Sequence, residues 1–161
     1  FIDSSNQIGV RSTRRIQGIE KISKDEVFNF KKSSRSIAKA SWHIDIWPAS
    51  SYTASADQSP EGWLSKAYAG EYYDIPYGCI VTNKVDNLLM GGRCISSDHW
   101  AQSSLRIQQT CMSTGEAAGT AAALSLKYSC TPSKLDPSLV VNQLEKMRES
   151  IKCYSQLTKL K

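Results

Sequence analysis

The chain has 161 residues, of which 40% are hydrophobic, and a formal net charge of +5. Its length fits one domain or part of a larger one, and its hydrophobic content is sufficient for a core. The longest apolar candidate, residues 117–126, is too short to predict a membrane span, so we expect no membrane partner. Because the first residue is Phe1 rather than Met, we expect a piece of a longer protein or an upstream segment that has been removed.

Charge and cysteine content narrow the function classes further. Residues 1–40 contain nine Lys or Arg and four Asp or Glu, whereas the rest is balanced. No RNA-binding aromatic motif accompanies this basic stretch, so we interpret it as a solvated surface and expect no nucleic-acid partner. The five cysteines form no CxxC pair, which predicts neither a metal site nor a disulfide framework. Unpaired thiols slightly favour a cytoplasmic location, which is otherwise left open.

The first half of the chain predicts short elements separated by loops. Residues 15–22 alternate as in a strand, and Ser-x-x-Glu at 23–26 predicts a capping box. We expect, in chain order, a strand over residues 15–22, a short helix to about Phe30, a second short helix over residues 37–40, a strand over residues 42–48 that ends at Pro48, and a long loop over residues 49–70. In the second strand, Trp42, Ile44 and Ile46 would share one face.

The second half predicts longer elements. We expect, in chain order, an aromatic-rich strand over residues 72–81 interrupted by a proline turn, a turn over residues 83–86, a buried strand over residues 87–90, a weak helix within residues 99–108, a strong helix from about Thr110, and a last amphipathic helix to about Ser150. Asp136 and Pro137 are a good N-cap and first-turn pair for that last helix. Its core face would carry Leu139, Val140, Leu144 and Met147. This order indicates an α/β or α+β fold.

Two groups of glycines suggest close approach to the main chain. The run Leu88-Leu89-Met90 leads directly into Gly91 and Gly92, so a partner backbone or a ligand would press against that main chain. In the alanine-rich helix, Gly115, Gly119 and Ala123 recur every four residues and leave one face almost without side chains.

Several side chains are candidates for chemistry. The glycines, Arg93, Ser96 and the helix start near Thr110 together suit a planar, anionic ligand, because a helix N-terminus offers free amides and a partial positive charge. Packing alone is the alternative. The other candidates are His43 with Asp45 as an acid/base pair, His99 with Asp98, Cys111 as a nucleophile or an inert buried thiol, and Arg11, Arg14 and Arg15 as a carboxylate clamp or solvated surface.

Five blocks of sequence, in this order, resemble one known family. They are RSTRRIQG (11–18), SWHIDIW (41–47), YDIPYGCIV (73–81), VDNLLMGGRCIS (85–96) and CMSTGEAAGTAAAL (111–124). Together they resemble the C-terminal part of FAD-dependent oxidoreductases with a glutathione-reductase-type Rossmann fold, which include proteins labelled xanthan lyase or heterodisulfide-reductase-like. The resemblance extends from about Ile8 to Leu144.

The resemblance implies a fragment of an FAD-dependent oxidoreductase that transfers a hydride between flavin and a small-molecule substrate. Residues 1–82 would be a substrate-side segment, residues 83–130 the C-terminal part of the FAD-binding domain with its late sheet strand, and residues 131–161 a terminal helix and tail. His43, Asp45 and Arg106 would lie near the flavin or substrate as catalytic candidates. The residues implied to contact FAD are Gly91, Gly92, Arg93, Cys94, Ser96, Thr110, Cys111 and Met112.

The sequence also departs from the family pattern. Ser12 stands where relatives commonly have an acidic residue, Trp47 where they usually have a histidine, and Gln109 where they often have a proline. No GxGxxG occurs, so an N-terminal dinucleotide-binding region would be the missing partner within the same protein. The alternative is a non-catalytic interaction subunit, or a degenerate relative that does not bind FAD alone.

Overall fold

A computed structural model of the chain describes residues 14–46 and 57–157, and side chains as far as Ser150. The predictions for Arg11, Ser12, Trp47 and Pro48 fall outside these residues.

The described chain mixes helices with a small sheet, which confirms the mixed fold class. Strands β1 (Ser36–Ala40) and β2 (Tyr73–Pro76) pair antiparallel, with Ala38 opposite Ile75 and Ala40 opposite Tyr73. Within the described ranges, no helix is both long and apolar enough to cross a membrane. The elements in chain order are α1 (Lys24–Phe28), β1 (Ser36–Ala40), α2 (Trp63–Tyr68), β2 (Tyr73–Pro76), α3 (His99–Leu105), α4 (Gln108–Lys127) and α5 (Pro137–Leu157), with short 3-10 helices at Tyr77–Cys79, Gly92–Cys94 and Pro132–Lys134.

The helix starts follow the sequence signals. The Ser23 hydroxyl accepts from the Glu26 amide, and the Glu26 carboxylate accepts from the Ser23 amide at 2.7 Å, so the predicted capping box is confirmed. The helix then ends at Phe28, two residues before the predicted end. At the start of α5, Asp136 Oδ1 accepts from the Ser138 amide at 2.9 Å, as its N-cap role requires.

The predicted helix over residues 37–40 is wrong, because this segment is strand β1. Four residues are too few to offset the cost of helix nucleation, whereas pairing with β2 satisfies the backbone and buries Ile37, Ala38 and Ala40.

The strand predicted over residues 15–22 is also wrong, although the segment is bonded to its surroundings. Its amides donate to carbonyls of separate loops: Ile16 to Cys94, Ile19 to Val81 and Ile22 to Ser96. Because no single neighbouring strand supplies these acceptors, only one isolated bridge forms, between Ile22 and Ser97.

The described part of the predicted 42–48 strand forms only a bridge between Asp45 and Asp57. The alternating apolar residues of this segment do not share one face, because Ile44 is fully buried while Trp42 is 44% exposed. The following segment is not all loop either, since residues 63–68 form α2. Trp63 anchors that helix in the core by donating from Nε1 to the Val27 carbonyl at 3.1 Å.

The buried strand predicted over residues 87–90 does not form. Asn87 takes a left-handed conformation (φ +55°), and the run then makes a single bridge between Leu89 and Val81. Its apolar side chains are half-buried rather than buried, so the segment is an irregular connection instead of a late sheet strand.

Helix α4 is the central element, and it packs against β1, the Gly92–Cys94 turn and α5. Val140 and Leu144 of α5 are buried and Leu139 is partly buried, but Met147 is 37% exposed, so its predicted core position is wrong. The last core-facing turn of α5 therefore lies one turn earlier than the sequence pattern indicated.

Candidate functional site

The two glycines lie against the first turns of α4 in what we call the glycine turn (residues 91–94). A Cβ atom on Gly91 would lie 3.0 Å from the Gly115 Cα and 3.2 Å from its nitrogen. Gly92 has φ +73°, which disfavours other residues, and its amide donates to Thr114 Oγ1 at 2.9 Å. The main chain that presses on Gly91 is thus the backbone of α4.

The N-terminus of α4 is open to an acceptor. Its N-cap residue, Ile107, has no side-chain oxygen, and the first helical hydrogen bond runs from the Cys111 amide to the Ile107 carbonyl at 3.0 Å. The amides of residues 108–110 therefore have no acceptor within the helix. Together with the helix dipole they favour an electron-rich or anionic group.

The thiol of Cys111 lies at this helix start, but its pKa is raised, not lowered. Burial is the larger cause, and it outweighs the opposing effect of the Arg93 guanidinium. A raised pKa does not favour an activated nucleophile at Cys111 and is consistent with the alternative of an inert thiol at rest.

The fold brings most of the predicted cofactor residues together, although they differ in exposure. Arg93 and Met112 are exposed, whereas Ser96 and Thr110 are buried, at 3% and 2% exposure. The Ser96 amide donates to the Cys79 carbonyl at 2.9 Å, so Ser96 belongs to the packing beneath the turn. The contact between the turn and α4 is made by Gly91 and Gly92 with Cys111, Thr114 and Gly115, and Arg93 and Cys94 complete the turn.

Two of the three catalytic candidates are in direct contact. Arg106 Nη2 donates to the Asp45 carbonyl oxygen at 2.8 Å and lies 3.3 Å from Asp45 Oδ2, and both side chains are mostly buried. Because Arg106 is the C-cap of α3 and immediately precedes the N-cap of α4, this pair fixes residues 42–46 beside the open helix N-terminus. The third candidate, His43, stacks on Trp42 with ring centroids 4.8 Å apart.

Residues 42–46 are held by a second contact that the sequence analysis did not predict. Tyr73 is fully buried, its hydroxyl lies 2.6 Å from Ser104 Oγ, and that oxygen donates to the Trp42 carbonyl. Burial raises the pKa of Tyr73 well above its ordinary value. The sequence signal that could have indicated this attachment is the polar residue Ser104, two positions before Arg106 in the weakly predicted helix.

Asp98 and Arg15 have structural partners. Asp98 caps α3 by accepting from the Ala101 amide at 2.7 Å, and it also accepts from the Lys24 amide at 2.8 Å, so it joins two helix starts. His99, next to it, is exposed. Arg15 Nε donates to the Ser97 carbonyl at 3.0 Å, which assigns it to packing rather than to an open clamp.

The small-residue stripe of α4 is uncovered at both of its glycines. Gly91 packs on the backbone of Gly115, but a Cβ on Gly115 or on Gly119 would meet no atom within 4 Å. Beside it, Ala123 lines an open, mainly apolar groove of about 540 Å³ between α4 and α5. Among the residues that the structure describes, no group of three or more His, Cys, Asp or Glu side chains could hold a metal ion.

Comparison with known proteins matched the chain to a family. A family model described as "FAD dependent oxidoreductase" matches residues 1–147, which is most of the chain. A search of the curated proteins and a search of the solved structures found no match.

Proposed function

Because the chain belongs to the FAD-dependent oxidoreductase family, we propose that the glycine turn and the N-terminus of α4 form one side of an FAD site. The observation that carries this proposal is their adjacency. The turn rests on Cys111, Thr114 and Gly115, directly after the amides of residues 108–110 that lack helical acceptors.

The residues at this point fit a flavin by their hydrogen-bonding chemistry. The open amides are donors without an acidic neighbour in the first turn of α4, and exposed Arg93 adds a positive charge nearby. An electron-rich ring edge or a phosphate needs donors and positive charge of this kind. The glycines are accounted for by packing on α4, so their contribution to the site is to let the turn approach the helix.

We further propose that residues 42–46 form the substrate-side wall of the site. When bound, FAD supplies the acceptor or donor of a hydride, and the protein must supply orientation and proton transfer. Asp45 and Arg106 engage each other, so we assign them to positioning this wall. His43 is then the side chain of the segment that would exchange a proton with a small-molecule substrate.

The test uses the product of the complete open reading frame that encodes this chain. We expect the purified protein to be yellow, to release about one FAD per chain on denaturation, and to bleach on reduction. A colourless protein that also fails to bind added FAD would overturn the proposal.

A matched pair of variants tests the location of the site. Arg93→Ala should weaken FAD binding by about tenfold, because one charge-assisted contact is lost. Lys127→Ala removes the same charge at the opposite end of α4 and should leave the affinity unchanged. Equal effects of both variants would indicate a general electrostatic attraction in place of a local site.

The alternative is a non-catalytic interaction subunit. It is favoured by the open apolar groove beside Gly119 and Ala123, which suits a protein contact. A complete gene product that folds cooperatively, binds no FAD and forms a stable complex with a flavoprotein would support this alternative.

A further inference from the structure

Two half-buried thiols lie on opposite sides of the contact between the glycine turn and α4, with Cys94 in the turn and Cys111 in the helix. We propose that they form a redox-active dithiol, which low-molecular-weight disulfides oxidise to a Cys94–Cys111 disulfide and thiols reduce again. The inference depends on the packing of the turn against the helix and not on flavin binding.

The packing places the turn that carries Cys94 against the side chain of Cys111. A Cβ on Gly92 would lie 3.8 Å from both Cβ and Sγ of Cys111, so the Cys111 side chain covers the Gly92 main chain. Cys94 ends the same 3-10 turn, which the Ile95 amide closes onto the Gly92 carbonyl. From the dimensions of a 3-10 helix, the Cα atoms of residues 92 and 94 are about 5 Å apart. A disulfide requires the Cα atoms of Cys94 and Cys111 to lie roughly 4.4–6.8 Å apart, so the turn has to adopt this spacing against α4 when the bond forms.

The absence of a side chain at Gly92 matters for this pairing. Any larger residue there would occupy the space between the turn and Cys111. The Gly92 amide donates to Thr114 Oγ1, which lies one helical turn beyond Cys111. This hydrogen bond fixes the position of the glycine turn along the axis of α4. Cys94, two residues later in the same turn, is therefore held near this part of the helix, which raises the effective concentration of one thiol at the other.

The charge of one thiolate also affects the pKa of the other thiol. Burial is the main reason that the pKa of Cys111 is raised, Arg93 opposes it, and the negative charge of a Cys94 thiolate raises it further. Near neutral pH Cys111 is therefore mostly protonated, and in the proposed exchange Cys94 reacts first and Cys111 second.

The exchange balances without any other reactant. The Cys94 thiolate attacks one sulfur of R–S–S–R, the S–S bond breaks, and RS⁻ leaves and takes up a proton. Cys111 then loses its proton to solvent and attacks the Cys94 sulfur, which releases the second RS⁻. The two protein thiols are oxidised to one disulfide, and one external disulfide is reduced to two thiols.

The other cysteines with described side chains are poor partners for Cys111. Cys79 is fully buried in the core. Cys130 follows the far end of α4, and Lys127 at that end is already about 24 Å from Cys111 along the helix.

Peptide mapping tests the proposal directly. Trypsin places each cysteine in a different peptide, and Cys94 and Cys111 fall in residues 94–106 and 107–127. The reduced chain is treated with 2-hydroxyethyl disulfide, blocked with N-ethylmaleimide, digested and analysed by mass spectrometry. We expect these two peptides to be joined in a monomeric species, and dithiothreitol to separate them.

Matched variants separate a specific pair from general thiol reactivity. Cys94→Ser and Cys111→Ser should each abolish the linked peptide, and Cys111→Ser should leave a stable mixed disulfide on Cys94. Cys130→Ser should have no effect. In urea the specific pair should fall at least about tenfold in yield, because unfolding removes the high effective concentration. The proposal is overturned if the folded chain gives only mixed disulfides, if either thiol pairs elsewhere, or if yields are equal in the folded and unfolded chains.

Discussion

Replacing Gly91 by alanine tests whether the glycine turn is shaped by its contact with α4. The new Cβ would lie 3.0 and 3.2 Å from the Gly115 Cα and nitrogen, and 3.4 Å from the Thr114 carbonyl oxygen. These are backbone atoms of a helix, so they cannot move aside as a flexible side chain would. Overpacking of this kind costs about 1–3 kcal/mol.

Two smaller effects adjust that figure. Gly91 has φ −124°, which alanine adopts freely, so no backbone strain is added. Alanine also reduces the conformational freedom of the unfolded chain, which offsets roughly 0.4–1 kcal/mol of the cost. We therefore expect Gly91→Ala to lower the free energy of unfolding by about 1–2 kcal/mol.

The assay is urea unfolding followed by circular dichroism, with Gly119→Ala as the control. Gly119 lies in the same helix as Gly115, but its new Cβ would enter open space. That substitution should raise the free energy of unfolding by up to about 1 kcal/mol through helix propensity alone. The opposite signs of the two changes are the decisive result. If Gly91→Ala is neutral or stabilising, the turn does not pack on Gly115 as described.

Three further predictions concern the supports of the site and its pH dependence. Arg106→Gln removes two contacts to Asp45 and should lower the free energy of unfolding by about 1–3 kcal/mol. It should also speed amide hydrogen exchange in residues 42–46, and unchanged exchange would show that Arg106 does not hold this segment. Asp98→Ala should cost about 2–3 kcal/mol in thermal unfolding, because two helix-start amides lose their acceptor, and Asp98→Asn should cost less. Burial raises the pKa of Tyr77 from 10.0 to about 12. The free energy of unfolding should therefore be unaffected by this group below pH 10 and should fall as the pH rises from 10 to about 12. Tyr77→Phe should show a smaller fall over the same pH range.

The alkaline decline follows from the sign of the pKa shift. Above pH 10 the unfolded chain releases the Tyr77 proton while the folded chain still retains it, so deprotonation favours unfolding. Cys79, whose pKa burial raises from 9.0 to about 12, acts in the same direction from a lower starting pH. A free energy of unfolding that stays constant from pH 9 to 12 would contradict the burial of both groups.

Local signals in the sequence were sufficient for α1, α4 and α5, although not for α2. The Ser23–Glu26 capping box, the Asp136 cap and the alanine-rich pattern of α4 each satisfy or favour a helix through contacts within a few residues. Such contacts do not depend on the rest of the fold, and for this reason they can be predicted from one sequence. The order of the blocks likewise identified the family that the family model confirms.

Strands were predicted poorly because their partners are distant in sequence. Residues 37–40 became β1 only because β2 lies beside them, and residues 87–90 stayed irregular because residues 80–81 offer a single bridge. Alternating hydrophobicity indicates that a segment could form a strand, but a strand also needs a neighbour with free backbone groups.

The sequence by itself determined the capped starts of α1 and α5, the existence of α4, the mixed fold class, the family and the candidate residues around the glycine turn. Only the tertiary structure decided what those residues contact. It placed Gly91 on the backbone of Gly115 and joined Arg106 to Asp45. The physical reason is that caps and helix propensity act over three or four residues, whereas these contacts join positions 24 and 61 residues apart. Their geometry exists only once the chain has packed around α4.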